Sequence, residues 1–282
     1  MARAAKTKVG VVQMTSTADV EANLRTTERL VGEGASDGAR LIVIPECFAY
    51  LGPEQGKLAI AEPLPEGGPI LARMAELARR AGVELVLGGF WEKGATAEKV
   101  RNACVHLGSD GAVRAVYRKI HLFDVDLPDG TKLEESATVE RGDELVVSDA
   151  PFGKLGLSVC YDLRFPELYR GLVDRGAIAL AIPAAFTLTT GKDHWHVLLR
   201  ARAIEAQSYV LAAAQTGHHF GQRRSYGHAL ICDPWGTVLA EHGEGEGVAT
   251  AWIDADVVAR VRTSLPSLRH RVLGRSGGGA AS

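Results

Sequence analysis

Three polar residues stand directly after apolar runs of this chain. Glu46 follows Leu41–Ile44, Lys119 follows Ala112–Tyr117 by one residue, and Cys160 follows Leu155–Val159. Branched apolar runs of this length read as buried strands. If the three strand ends converge, they put a carboxylate, an ammonium and a thiol in one pocket. The carboxylate takes the thiol proton as general base, and the thiolate attacks a carbonyl to form a thioester. The ammonium and the Tyr161 backbone N–H then hold the oxyanion. After Cys160 the sequence changes character, with Asp162 as a short polar cap and Pro166 as a first-turn residue. That pattern predicts a helix opening just behind the thiol, whose dipole would favour thiolate.

Competing readings come from the same residues. A free cysteine is commonly a small core hydrophobe, which is the reading given to Cys47 and Cys104. A Cys–His scheme is open, because the chain has nine histidines and His121 lies close to Lys119. His194 and His196 form a metal-like pair at the wrong helical spacing. With no HExxH or CxxC pattern, no metal and no cofactor are expected.

The elements that must position these residues follow from periodicity. Strands are expected at Lys8–Met14, Leu41–Ile44, Glu84–Phe90, Leu155–Val159, Ala177–Ile182, Tyr209–Ala214 and Val248–Ile253. Helices are expected at Asp19–Glu33, Ile70–Ala81, Arg164–Asp174, His194–Gln207 and Asp254–Thr263. Hairpins are expected around Gly108–Gly111 and Asp233–Gly236. Pro53–Pro69 and Phe123–Gly142 read as irregular. The alternation of strands and helices predicts an α/β fold with mixed sheets. With no linker and no repeat, it predicts one domain.

The 282 residues are 46% hydrophobic and 23% charged, with a net charge of -2. This balance gives no global attraction to nucleic acid or to an anionic membrane surface. No apolar run is long enough to span a bilayer. Four scattered cysteines and a basic first segment without a signal-peptide core predict a reducing, cytoplasmic setting.

Three segments in this order, LIVIPE ending at Glu46, YRKIHLFD around Lys119 and GLSVCYDLRFPEL around Cys160, resemble the nitrilase superfamily of carbon–nitrogen hydrolases. The resemblance extends over about residues 8 to 270. It implies an αββα sandwich of two mixed sheets flanked by helices, and a homodimer or higher homo-oligomer. It also implies a Glu46–Lys119–Cys160 triad and a further glutamate at Glu135, with Glu134 the adjacent alternative. On this resemblance residues 1–7 are an arm, 8–265 the hydrolase domain, and 266–282 a partly disordered tail.

Within the superfamily, CYDLRFPELYR and SYGHALICDPWGTVLAE resemble the amidase branch near deaminated glutathione amidase and omega-amidase. Tyr161-Asp162 stands where true nitrilases carry Trp-Glu, which favours amides over nitriles. The activity implied is hydrolysis of a primary carboxamide of a small anionic substrate to carboxylate and ammonia. Deaminated glutathione is the first expectation, α-ketoglutaramate the second, and an N-carbamoyl or ureido acid the third. A catalytically silent scaffold is the non-enzymatic alternative, which the intact triad disfavours. An anionic substrate calls for a further cation, and Arg164 is the first choice. Phe186, Thr187 and His194 are expected as pocket walls, and Arg223 and Arg224 as residues that reach a longer peptide-like tail.

Overall fold

The computed structural model describes residues 6–126 and 132–273. Two sheets lie face to face with helices on both outer faces. The first sheet has nine strands and runs in the order Arg223–Tyr226, Ala214–Phe220, Thr7–Met14, Leu41–Ile44, Glu84–Lys93, Val100–Leu107, Val113–Arg118. Gly247–Ile253 pairs antiparallel with Thr7–Met14, and Val139–Glu140 joins Val100–Leu107. The second sheet has six strands, in the order Val238–Glu241, Leu230–Cys232, Tyr209–Ala212, Ala179–Ala181, Gly153–Leu157, Val147–Ala150. Both mix parallel and antiparallel pairs, as the hairpins in the sequence predict.

Strand alternation explains the layers. In Leu41–Ile44, Leu41 and Val43 face the space between the sheets, where they join Leu155, Leu157, Ala179 and Ala181. Ile42 and Ile44 face outward onto Leu24, Leu30, Ile70 and Met74 of the helices α1 (Val20–Ser36) and α3 (Pro69–Ala81). A strand buried on both faces must be apolar throughout, and LIVI is. α2 spans Glu54–Ile60 and packs near Trp91. On the far side α4 (Pro166–Asp174) and α5 (Leu188–Ala206) cover the second sheet, and α6 (Ala255–Ser264) follows the last strand.

Several boundaries differ from the sequence expectations. The Pro53–Pro69 stretch holds α2, hidden by Gly56, where a Cβ would collide with the Tyr50 hydroxyl. α5 begins at Leu188 instead of His194, because the Thr187 side chain caps it by accepting from Thr190 N. The Phe123–Gly142 stretch carries two short paired strands, Asp124–Asp126 and Lys132–Glu134, and a single turn at Glu135–Ala137. The hairpin of Ala214–Phe220 with Arg223–Tyr226 also escaped prediction. Its polar composition gives no alternation to read. The expected disordered tail lies outside the described residues from 274 onward. Before that, His270 N donates to Pro266 O at 3.2 Å and to Ser267 O at 3.1 Å, and Arg271 pairs with Asp174.

Candidate active site

Glu46, Lys119 and Cys160 do meet. Glu46 leaves the carboxyl end of its strand, and the neighbouring strand must bulge to pass it. Gly89 makes that passage, with φ +59° and a missing Cβ that would lie 2.3 Å from Cys47 N and 2.7 Å from the Glu46 side chain. Only glycine takes this conformation at this clearance without strain. The Glu46 carboxylate is fully engaged. Oε1 accepts from Asn102 Nδ2 at 2.9 Å and from Lys119 Nζ at 3.2 Å, and Oε2 accepts from Ala185 N at 3.0 Å. The Cys160 thiol shares the cavity with this carboxylate, and each shifts the other's ionisation.

Lys119 is buried, and its Nζ also donates to both oxygens of Glu135, at 3.0 and 2.8 Å. Phe123 N donates to Glu135 Oε2 at 2.7 Å and fixes that carboxylate. Of the two adjacent glutamates, Glu135 is therefore the one bonded to Lys119, while Glu134 lines the same cavity. Asn102 is a residue the sequence reading missed. Its Nδ2 donates to Glu46 at 2.9 Å and to Glu135 at 3.1 Å, so one amide ties the two carboxylates together. The available signal was a polar amide two residues into the strand Val100–Leu107, just ahead of the apolar Ala103–Val105.

Cys160 opens a single tight turn, Cys160–Arg164, with the left-handed φ of +47°. A non-glycine residue there is strained and is held by its surroundings. Cys160 N donates to Pro183 O at 2.9 Å. Asp162, completely buried, accepts from Val159 N at 2.9 Å and Tyr117 Oη at 2.7 Å. Tyr161 follows the thiol in the first turn, where backbone N–H groups have no partner within the turn.

The helix expected immediately behind Cys160 begins only at Pro166, with Phe165 as its cap. Its dipole therefore does not end at the sulfur. The thiol is correspondingly not acidified. Burial pushes it well up, the Glu46 carboxylate pushes it further, and the Lys119 ammonium opposes them. Burial would also raise Glu46, but the Lys119 charge and the bonds from Cys160, Asn102 and Lys119 hold that carboxyl below its ordinary range. Lys119 loses by burial and gains more from Glu135 and Glu46, so it stays protonated. The resting set is a carboxylate, an ammonium and a neutral thiol, all at one cavity.

The Cys–His alternative finds no geometry. His121 Nδ1 lies 2.8 Å from Asp162 Oδ1, and the ring stacks on Phe165 at 3.7 Å. Cys47 lines the cavity, but burial and Glu46 raise its thiol as well. Cys104 and Cys232 are buried in the core, and all four cysteines are free.

These groups sit at the floor of a cavity of about 370 Å³. Arg164, Phe186 and Thr187 line it. The Arg164 guanidinium lies over the Phe186 ring at 5.2 Å and over Tyr161 at 5.9 Å. His194 is not a wall of this cavity. It is exposed on α5 and meets Arg164 Nη1 through Nδ1 at 3.2 Å. The longer α5 explains this, since Leu188–Asp193 now stand between the cavity wall and His194.

Elsewhere, His196, His228 and Glu241 bring donor atoms within 4.8 Å of one another, the arrangement among the described residues that could hold a metal. Both imidazoles already meet one Glu241 oxygen, at 3.0 and 2.6 Å, which accounts for the cluster as paired hydrogen bonds. No helix among the described residues is long and apolar enough to cross a membrane.

An αββα sandwich with a thiol, a carboxylate and a buried ammonium at one strand-end cavity defines a class of amide-cleaving enzyme. The carbon-nitrogen hydrolase family matches residues 8–263, and the chain belongs to it. It is thus a hydrolase of the nitrilase superfamily that acts on amides. Among its relatives are proteins named deaminated glutathione amidase. The one from Synechocystis sp. is 46% identical over 93% of this chain and 96% of its own length. The one from Homo sapiens is 47% identical over 93% of this chain and 81% of its own. Among solved structures, Saccharomyces cerevisiae Nit3, described as a member of branch 10 of the nitrilase superfamily, superposes with a TM-score of 0.82. It is 30% identical and covers 96% of both chains. The C. elegans NitFhit protein superposes with a TM-score of 0.89 at 40% identity, covering 96% of this chain and 66% of that one.

Proposed function

We propose that the protein hydrolyses deaminated glutathione through a thioester on Cys160. Glu46 takes the thiol proton as sulfur attacks the amide carbon. Lys119 Nζ and the Tyr161 N–H hold the oxyanion. The C–N bond breaks, and the nitrogen leaves with the proton that Glu46 carried. Water then attacks the thioester, Glu46 takes its proton, and the carboxylate is released with the thiol restored. Glu135 keeps Lys119 charged and placed, and Arg164 receives a carboxylate of the substrate. The observation that carries this reading is the Glu46 carboxylate bonded to Lys119 Nζ at 3.2 Å in the one cavity that Cys160 also lines. The substrate rests on the relatives' shared name.

The substrate refines the expected products. Deaminated glutathione has no primary carboxamide. Its γ-amide nitrogen belongs to the cysteinyl residue, so the leaving group is the amine of a dipeptide, and ammonia is the product only from a carboxamide such as α-ketoglutaramate. The test is steady-state hydrolysis of both, reading 2-oxoglutarate. We expect kcat/KM for deaminated glutathione to exceed that for α-ketoglutaramate by roughly tenfold or more, a difference of about 1.4 kcal/mol in transition-state binding. The reverse preference would make this an omega-amidase, and hydrolysis of neither would overturn the substrate.

We also propose a homodimer in a reducing compartment. Val197 and Ile204 on α5 are 67% and 48% exposed, and Trp235 beside them is 61% exposed. Arg200 Nε, bonded to Gly236 O at 2.8 Å, joins helix and hairpin into one face. Exposed apolar residues grouped in this way favour association. Light scattering at micromolar concentration is expected to give twice the chain mass, and Trp235→Asp to give monomer. A monomeric wild type would overturn the dimer.

A further inference from the structure

The cavity holds a second guanidinium that the thiol chemistry does not use. Arg223 comes from the hairpin that the sequence did not reveal, just after the reversal at Gly221. Its Nη2 donates to Ala185 O at 3.0 Å. Its Nη1 is buried and has no hydrogen-bond partner among the described residues. A guanidinium is always charged, and a buried N–H left without an acceptor is costly. Of the carboxylates that line the cavity, Glu46 and Glu135 are bonded to Lys119 and Glu54 to Lys57, and none of the ion pairs among the described residues joins Arg223 to Glu134 or to these three.

The segment Ala185–Thr187 separates the two arginines. Arg223 is bonded to Ala185 on one side, while Arg164 lies over the Phe186 ring. Thr187 in turn bridges to Ser225 of the Arg223 hairpin. Both arginines line the cavity together with Thr190 and Phe220.

We propose that Arg223 anchors a second substrate carboxylate, so that the preferred substrates are amides with a carboxylate on each side of the scissile bond. This rests on the amidase reading above and specifies its substrate class. Deaminated glutathione fits, with a keto-acid carboxylate at one end and a glycine carboxylate at the other. α-Ketoglutaramate carries one carboxylate only.

The test compares wild type with Arg223→Gln and Arg223→Lys. The ratio of kcat/KM for deaminated glutathione over α-ketoglutaramate is expected to fall about 10- to 100-fold in Arg223→Gln, through KM, with partial recovery in Arg223→Lys, as for loss of a charge-assisted pair. An unchanged ratio would overturn the proposal. Equal losses in kcat on both substrates would also overturn it, assigning Arg223 to holding Ala185. A second readout needs no turnover. S-methylglutathione, with both carboxylates and no thiol, is expected to protect Cys160 from iodoacetamide in wild type, and about tenfold less well in Arg223→Gln. If wild type hydrolyses neither amide, the substrate reading falls and protection alone decides Arg223. Equal protection in both proteins, or none in wild type, would then overturn it.

Discussion

Cys160→Ala is expected to abolish amide hydrolysis, by about 10⁴-fold or more, while the protein stays folded. Removing the attacking atom of a nucleophile–base unit costs nearly the whole chemical acceleration. The structure says why stability is spared. The thiol is neutral, so its loss strands no charge, and Glu46 keeps its bonds to Lys119, Asn102 and Ala185 N. Deleting one buried sulfur costs about 1 kcal/mol, or roughly 2–4 °C in Tm for a chain of this size. The same variant separates Cys160 from Cys47, the other thiol that lines the cavity. Retained hydrolysis in a folded Cys160→Ala protein, measured beside its thermal unfolding, would move the nucleophile or sink the thioester scheme.

Lys119→Met is expected to damage both function and stability. The ammonium lies between two carboxylates, 3.2 Å from Glu46 and 2.8 Å from Glu135. A methionine fills similar volume but leaves both acids buried without their cation. Breaking a buried pair in this way costs about 3–5 kcal/mol, on the order of 10 °C in Tm. Hydrolysis falls by about 10³-fold, because the oxyanion loses its charged donor.

The pH dependence of stability is the sharper signature. In wild type Glu46 is held below its ordinary range, so its contribution is present above the unfolded pKa and is lost as pH falls through the folded one. In Lys119→Met the Glu46 carboxyl, still buried, rises above the unfolded value and binds a proton that the unfolded chain does not. Its contribution is then present below the unfolded pKa and is lost as pH rises through the raised one. The variant should gain Tm on acidification from about pH 7 to about pH 5, while wild type should not. Parallel Tm profiles for the two proteins would show that Lys119 does not hold Glu46 ionised.

Much of this was determined by the chain alone. LIVI had to be a central strand because all four residues are apolar, and both its faces are buried. That placed Glu46 at a strand end, and the same reasoning placed Lys119 and Cys160. Asp19 had to cap α1, and it accepts from Ala22 N. Local patterns carry such facts because they repeat at the period of the element that makes them.

What only the tertiary structure decided has no such period. The surroundings of the thiol are the first case: a tight turn comes between Cys160 and the helix that Pro166 opens, and burial beside Glu46 raises the thiol. Asn102 gained its place between Glu46 and Glu135, which lie 56 and 33 residues away in the sequence, and spacing cannot encode such a meeting. Arg223 reached the cavity on a hairpin whose strands are polar, paired across a sheet with Thr7–Met14 at the other end of the chain. The reacting groups were legible because each ends an apolar run. The bonds that Asn102 and Arg223 make were not, because they are set by charge and burial across distant segments, which exist only once the chain has folded.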